Sequence, residues 1–348
     1  MGLREYILKR CIYSLVLVFF VISLNFVIFI MMPGNPIASF ISPELRPEQA
    51  EALYEMWALN QPMHEQYIRY LKNMLTLEFG ISFESRRPIS QEIGLYMGNT
   101  LILMGTSLII AIIAGVILGV TTASRRGRIV DSGLVTTSLI FYALPTFWMG
   151  MIFLTIFSAG LGWFPLRGSQ PVEWTMNRPE PFIISSNPTS QNLALTLTVN
   201  PEDLSTFILG RIHHLFLPCF TLFLFYVGGW LLLTRATMLE CLTEDYVVTA
   251  RAKGIKERGV LYKHTLKNAS LPIITSAAMS FGFLISGAIL TETVYSWRGL
   301  GLWIWRSIVI RDLPALQAVF YVIALCVIAA NFIADLAYGV IDPRIKYG

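Results

Sequence analysis

Residues able to do chemistry are sparse in this chain, and their spacing argues against catalysis. The four histidines, His64, His213, His214 and His264, lack the spacing of a metal site. His213 and His214 are adjacent, so on a helix they point about 100° apart and do not easily share one ion. There is no G-x-x-x-x-G-K-S/T phosphate loop. No nucleophile is paired with a base at a spacing that would activate it. No catalytic residue, metal or bound cofactor is therefore expected, and the chain is not read as an enzyme. The cysteines, Cys11, Cys219, Cys241 and Cys326, do not form a disulfide framework. Work against a gradient would have to draw on another subunit or on an ion gradient.

The elements that must position the remaining polar groups are apolar. Hydrophobic residues make up 55% of the 348 and charged residues only 14%, well under the roughly one quarter of a soluble domain. The apolar residues come in runs that match the ~20 residues needed to cross a bilayer. These are Cys11–Met32, Leu101–Ala123, Leu134–Ser158, Leu215–Thr234, Ile273–Thr291 and Gln317–Gly339. Six spanning helices and an all-α membrane protein follow. Basic residues cluster at the N-terminus (Arg4, Lys9, Arg10), between the second and third runs (Arg125, Arg126, Arg128), between the fourth and fifth (Arg235 to Lys267), and in the tail (Arg344, Lys346). With six spans these fall on one side, which is the cytoplasm, so both termini are expected inside. The net charge of +4 is accounted for by these loops and calls for no nucleic-acid partner. The first run reads as a retained span rather than a cleaved signal.

The expected organisation is an anchor helix at 11–32 with a small extracytoplasmic cap to about residue 96, a membrane core over 97–339, and a cytoplasmic tail over 340–348. Within the cap, Pro47 to Leu77 has helical periodicity, with Ala50, Leu53 and Trp57 and then Tyr67, Tyr70, Leu71 and Leu75 as apolar stripes. An outside insertion runs over about 160–211. It reads as a solvated loop with one short strand at Leu193–Val199, or alternatively as a docking surface for an external partner. The basic connection at about 235–270 lies inside.

Ionisable groups within the spans are few. Asp335 lies within about two turns of the cytoplasmic end and shares a face with Asn331 and Tyr338, which suits anchoring or helix contact. Glu292 sits at the end of the fifth run. An ion-coupled carrier needs more buried charge than this. Small residues recur at every fourth position in Ala111, Gly115 and Gly119, and again in Ala278, Gly282 and Ser286. Such stripes let helices pack closely in lipid, and they are also candidates for a sliding interface.

The most informative stretch is Thr243 to Pro272. Glu244 and Asp245 suit a helix start after a capping Thr243. Tyr246, Val247, Ala250 and Gly254 then share a face, and Gly254 tolerates a left-handed stop. A second helix follows, with Ile255, Tyr262, Leu266 and Ala269 on one side and Lys256, Lys263 and Lys267 about 100° away. Anionic lipid would explain the lysines. The small face ending at a glycine suits a seat in another protein's groove.

This stretch, D-Y-V-V-T-A-R-A-K-G-I-K-E-R-G-V-L-Y-K-H-T-L-K-N-A-S-L-P, resembles the cytoplasmic coupling loop of type I ABC importer permeases. The chain looks most like the first pore subunit of the dipeptide/oligopeptide permease family. Of the general signature it keeps Ala250, Gly254 and Leu266. The start I-L-K-R…M-P-G-N-P, the cap segments Leu59–Pro62, Phe79–Ser82, Arg87–Ile89 and Asn99–Leu101, and the closing E-T-V-Y-S-W-R-G-L-G, R-D-L-P and D-P-R-I-K-Y are similar too. Arg298 replaces the family's usual proline. The resemblance implies the type I importer permease fold in the plasma (inner) membrane of a prokaryote. It implies a homologous second permease, two ABC ATPases carrying the ATP and Mg, and an external solute-binding protein as partners. It also implies an ATPase-coupling role for Tyr246, Val247, Ala250, Arg251, Ala252, Lys253, Gly254, Lys256 and His264. Peptides are the expected substrate class, with oligosaccharides or nickel complexes as the alternative.

Overall fold

The computed structural model describes residues 3–30, 61–175, 182–186, 195–284 and 287–341. In chain order its helices are α1 (Leu3–Ile30), α2 (Met63–Thr76), α3 (Ile89–Ser124), α4 (Ile129–Ala143), α5 (Thr146–Phe153) and α6 (Pro201–Cys241). They continue with α7 (Asp245–Ala252), α8 (Leu266–Phe283), α9 (Ile289–Val294), α10 (Leu300–Ile310) and α11 (Leu313–Ile341). Helix is what long uncharged runs must adopt in lipid, where each backbone N–H and C=O has to find its partner within the segment.

Among the described residues, four stretches are long and apolar enough to cross a bilayer as single helices. They are Glu5–Phe29, Ile89–Ser124, Pro201–Cys241 and Leu313–Ile333. The third expected run is broken. Leu144 takes extended backbone before Pro145, as a residue preceding proline tends to do, and the two halves are bent by 97°. After α5 the chain continues as a wider π-type turn, Leu154–Gly160. Taken as one broken span, this pair is the fifth. The fifth expected run, Ile273–Thr291, is not one helix. α8 begins before it and stops at Phe283, and α9 starts afresh at Ile289. Gly287 between them has φ +73°, a left-handed backbone that does not continue a helix. Ser286 lies outside the described residues.

The chain divides into two compact units. The first comprises Met1–Gly105, Ser270–Ile289 and Gly299–Gly348. Its core joins Ile22 and Phe26 of α1, Tyr70 and Met74 of α2, Trp303 of α10 and Tyr321 of α11. Phe26 meets Tyr67 and Tyr70 edge-on, at 5.2 and 5.5 Å between ring centres, a favoured aromatic geometry. The stripe expected on α2 is right at Tyr67, Tyr70 and Leu71, but Met74 completes it, and Leu75 is 60% exposed. Ala50, Leu53 and Trp57 lie outside the described residues. The loop after α2 is held by the fully buried Asp312. Its carboxylate accepts from Ser82 Oγ at 2.6 Å and from the Glu84 and Ala315 backbone N–H groups, each at 3.2 Å. Burial pushes this carboxyl above its ordinary range, against the bonds from Ser82 and the backbone, which lower it. In the second small-residue stripe, a Cβ on Gly282 would lie 3.1 Å from that of Ala330, so α8 and α11 pack closely there. The side chain of Asp335 lies outside the described residues.

The second unit comprises Thr106–Ala269 and Leu290–Arg298. The first small-residue stripe forms its tightest contact. A Cβ on Gly115 would come within 2.3 Å of Trp230 Cβ, and one on Gly119 within 2.5 Å of Thr234 Cβ. Ala111 is fully buried. Because Gly115 meets Trp230 and Gly119 meets Thr234, α3 and α6 run parallel and end on the same side of the unit. α4 runs antiparallel to α6. Asp131 meets Arg235, a Cβ on Gly228 would lie 2.8 Å from the Ser138 carbonyl oxygen, and Tyr142 stacks on Phe225.

α6 has 41 residues, about 60 Å at 1.5 Å per residue, or twice the ~30 Å hydrocarbon layer. It therefore absorbs the end of the expected 160–211 insertion, starting at Pro201 behind an Asn200 cap. The insertion's first part is strapped to this extension. Trp174 stacks on Phe207 at 5.2 Å, and Arg211 Nη1 donates to the Ser169 carbonyl at 3.0 Å. The expected strand is Leu195–Val199, paired antiparallel with Phe182–Ser186.

Candidate functional site

The candidate site is the short foot that follows α6. α6 runs to Cys241, past Thr234 where the expected span stopped. Thr243 does not cap the next helix. Its hydroxyl donates back to the Glu240 carbonyl at 2.8 Å. Glu244 takes the cap position with extended backbone, and α7 begins at Asp245, an acid well placed in a helix's first turn.

α7 ends as the glycine required. Gly254 has φ +74°. Its N–H donates to the Arg251 carbonyl at 2.9 Å, and the Ile255 N–H donates to the Ala250 carbonyl at 3.3 Å. This pair of bonds is the Schellman arrangement, which satisfies carbonyls that a helix end leaves open. Arg251 reaches across the elbow to Glu257, with N···O distances of 2.8 and 3.3 Å. The Arg251 guanidinium holds the Glu257 carboxyl below its usual range, and Glu257 raises the guanidinium in return. Both side chains are about half exposed, so the pair contributes at most about 1 kcal/mol.

The second limb differs from a plain helix. A turn at Glu257–Gly259 leads into a π-type turn, Val260–Thr265, which runs directly into α8. Thr265 Oγ1 donates to the carbonyl of Val260, five residues back, at 3.0 Å. The extra residue in this turn shifts the buried side by about 100°. Val260, Leu261, Thr265 and Ala269 are buried, while Tyr262 is exposed and Leu266 is only partly buried. Ile255 sits on the elbow, against Gly259.

The inner and outer faces of α7 are now fixed. Val247 and Ala250 are buried with Val260 in a core of their own, with Tyr246 and Leu242 packed alongside. Burial pushes the Tyr246 phenol upward, with Asn268 and Cys241 as its polar neighbours. Val247 and Ala250 of the small-residue face expected to meet a partner therefore turn inward and hold the foot together, while Gly254 on that face stays exposed. The outward residues are Val248 (58% exposed), Thr249, Arg251, Ala252, Lys253, Gly254 and Lys256. His264 is half-buried at the base of α8. The foot is seated by Leu261 and Ala269 against Val120 and Ala123 of α3 and Met238 of α6.

Near this seat is an ion pair, with its carboxylate buried and its guanidinium partly exposed, that sequence pattern does not single out. Arg235 forks onto Asp131, with Nε to Oδ1 at 2.8 Å and Nη2 to Oδ2 at 2.9 Å. The Gly127 N–H adds a third bond at 3.0 Å. By sequence, Arg235 reads only as a loop charge. The available signal is Asp131 itself, an acid at the head of an apolar run just after Arg125, Arg126 and Arg128. Glu292, at the end of the fifth expected run, is fully buried within α9. On the described residues no group of His, Cys, Asp or Glu is arranged to hold a metal.

Comparison with known proteins gives the same direction. Residues 111–347 match the family model described as the binding-protein-dependent transport system inner membrane component. Residues 3–85 match the model of the N-terminal part of such membrane components. The chain is 35% identical over 346 residues to the oligopeptide transport system permease protein AppB of Bacillus subtilis, covering 99% of this chain and 100% of that protein. It is 35% identical over 327 residues to the dipeptide transport system permease protein DppB of Escherichia coli, with 93% of each covered. It is 32% identical over 343 residues to the glutathione transport system permease protein GsiC of the same species, with 99% of each covered.

Proposed function

We propose that this chain, which belongs to the family of inner membrane components of binding-protein-dependent transport systems, is one of two pore subunits of an ATP-driven peptide importer. It is a multi-pass protein of the plasma membrane. In this reading six spans place both termini inside. The parallel run of α3 and α6, with α4 antiparallel between them in sequence, supports that alternation. A second, homologous permease completes the pore. Two separate ATPase subunits grip the foot, and an external binding protein delivers the solute. Peptides are the proposed solute because relatives matched over nearly their full length are named for oligopeptide and dipeptide transport.

The observation that carries the reading is the construction of the foot. A stopped helix, a glycine elbow and a buried clasp make one body, and that body is seated on the ends of α3 and α6. A push on its outer face is passed on as a rigid-body movement instead of being lost in a soft loop. ATP binding on the partners must then favour one pore state over the other, since only such a difference can couple the two. Gly254→Trp, with partner subunits co-expressed, should leave the protein in the membrane but abolish ATP-dependent uptake of a labelled peptide. Normal uptake by this variant would end the docking reading.

A further inference from the structure

Beside the foot, the second unit carries the charged pair of Asp131 with Arg235. The foot itself packs on apolar residues of α3 and α6, namely Val120, Ala123 and Met238. Three of the places where α4 meets α6 are of different kinds. Toward the bend these are the Tyr142–Phe225 stack and the approach of Gly228 to the Ser138 carbonyl. At the foot end it is Asp131 with Arg235. Apolar and aromatic contacts hold helices together by shape and are non-directional. A guanidinium forked onto a carboxylate fixes both distance and rotation. Here the carboxylate is buried and also takes the Gly127 N–H, so one side chain ties the turn between α3 and α4, the first turn of α4, and α6. An apolar pair of the same volume would hold two helices together as well or better. The pair's distinctive property is register.

We propose that Asp131 and Arg235 form a strut that transmits movement of the foot into α4 and, through the bend at Pro145, into α5. The proposal rests on the reading of the foot as the part gripped by the ATPases. What lies downstream is positioned to respond. α5 presents Gly150 to Tyr295, where a Cβ would be 3.1 Å from the ring, and the Tyr295 hydroxyl is bonded to Thr221 of α6 at 2.8 Å. Asp131 and Arg235 are positioning residues. They hold α4 and α6 in one register while the foot moves.

The test uses the whole complex, with its ATPases, in lipid nanodiscs. Spin labels go on Ser132→Cys in α4 and Ala236→Cys in α6, both exposed positions, with the four native cysteines replaced by serine. The label-to-label distance is measured without nucleotide and after trapping with ATP and vanadate. With the native pair the distance should be the same in both states. Asp131→Asn and Arg235→Gln should each add a second distance on trapping, and the swap Asp131→Arg with Arg235→Asp should remove it again. Arg235→Lys, which keeps the charge but loses the fork, should show the second distance too, and it carries the test if Asp131→Asn fails to accumulate. A distance that stays fixed in Asp131→Asn or in Arg235→Lys overturns the strut. Val248→Glu on the outer face of the foot separates the two ideas. If it releases the ATPases while the strut variants keep a fixed distance, only the strut falls. If neither it nor Gly254→Trp affects ATPase binding, the foot reading fails and takes the strut with it.

Discussion

Two glycines show why the same residue type serves different ends. Gly254 needs its left-handed backbone, yet a Cβ there would meet nothing within 4 Å. Gly254→Ala should therefore cost about 1–2 kcal/mol through backbone strain alone and loosen the elbow without unseating it. Gly115 has ordinary helical backbone but no room. A methyl there would sit 2.3 Å from Trp230 Cβ and 3.1 Å from the Leu231 backbone N. Gly115→Ala must part α3 from α6, and overpacking of this kind costs typically about 1–3 kcal/mol or more. Thermal unfolding in detergent should fall further for Gly115→Ala than for Gly254→Ala; the reverse order would contradict this packing. Asp312 gives a pH prediction. Its carboxyl is pushed up by burial in the folded state, so the folded protein holds that proton more tightly than the unfolded chain. The resulting stability is fully present below the unfolded carboxyl's pKa, and it is lost as pH rises through the folded value. Melting temperature should therefore decline across that window in the native protein and decline less in Asp312→Asn, measured side by side in one buffer series.

The foot, taken as an element, separates what a pattern can show from what packing decides. The stop at Gly254 is legible because a glycine is what a left-handed helix cap demands. The side of α7 left free for a partner is not. Val247 and Ala250 look like a docking face because they are small, and they are small because Val260 packs on them. The π-type turn over Val260–Thr265 likewise cannot be read from a 3.6-residue period, and it moves Tyr262 outside and brings Val260 and Leu261 in. The consequence is a paired prediction. Val247→Glu would bury a charge beside Val260, open the clasp, and make residues 245–265 sensitive to limited proteolysis. Val248→Glu should leave that protection intact and lose co-purifying ATPase subunits. Loss of the ATPases only in the first variant, with the second indistinguishable from the native protein, would place the contact elsewhere. A deletion that asks whether the 160–211 insertion touches a partner should spare residues 169–175, because Ser169 and Trp174 support the extension of α6.

For the whole molecule, the proposed role is that of a conduit driven from outside itself. Purified alone into liposomes, the chain should accumulate no peptide. Reconstituted with its second permease, ATPases and binding protein, it should accumulate peptide only when ATP is supplied on the foot side. Accumulation by the chain alone would remove the need for any engine below it. The solvent and the kind of machine are legible in the residues alone. Composition and run length depend only on which residues are present and in what order, and those make the chain a multi-pass membrane protein. Packing in three dimensions settles where apolar runs break, which face of the foot is free, and which charges meet. The union of Asp131 with Arg235, 104 residues apart, and the burial of Val247 and Ala250 against Val260 depend on neighbours outside the local pattern. A local pattern carries no information about the surface it will be pressed against, and that surface fixes register, burial and pairing.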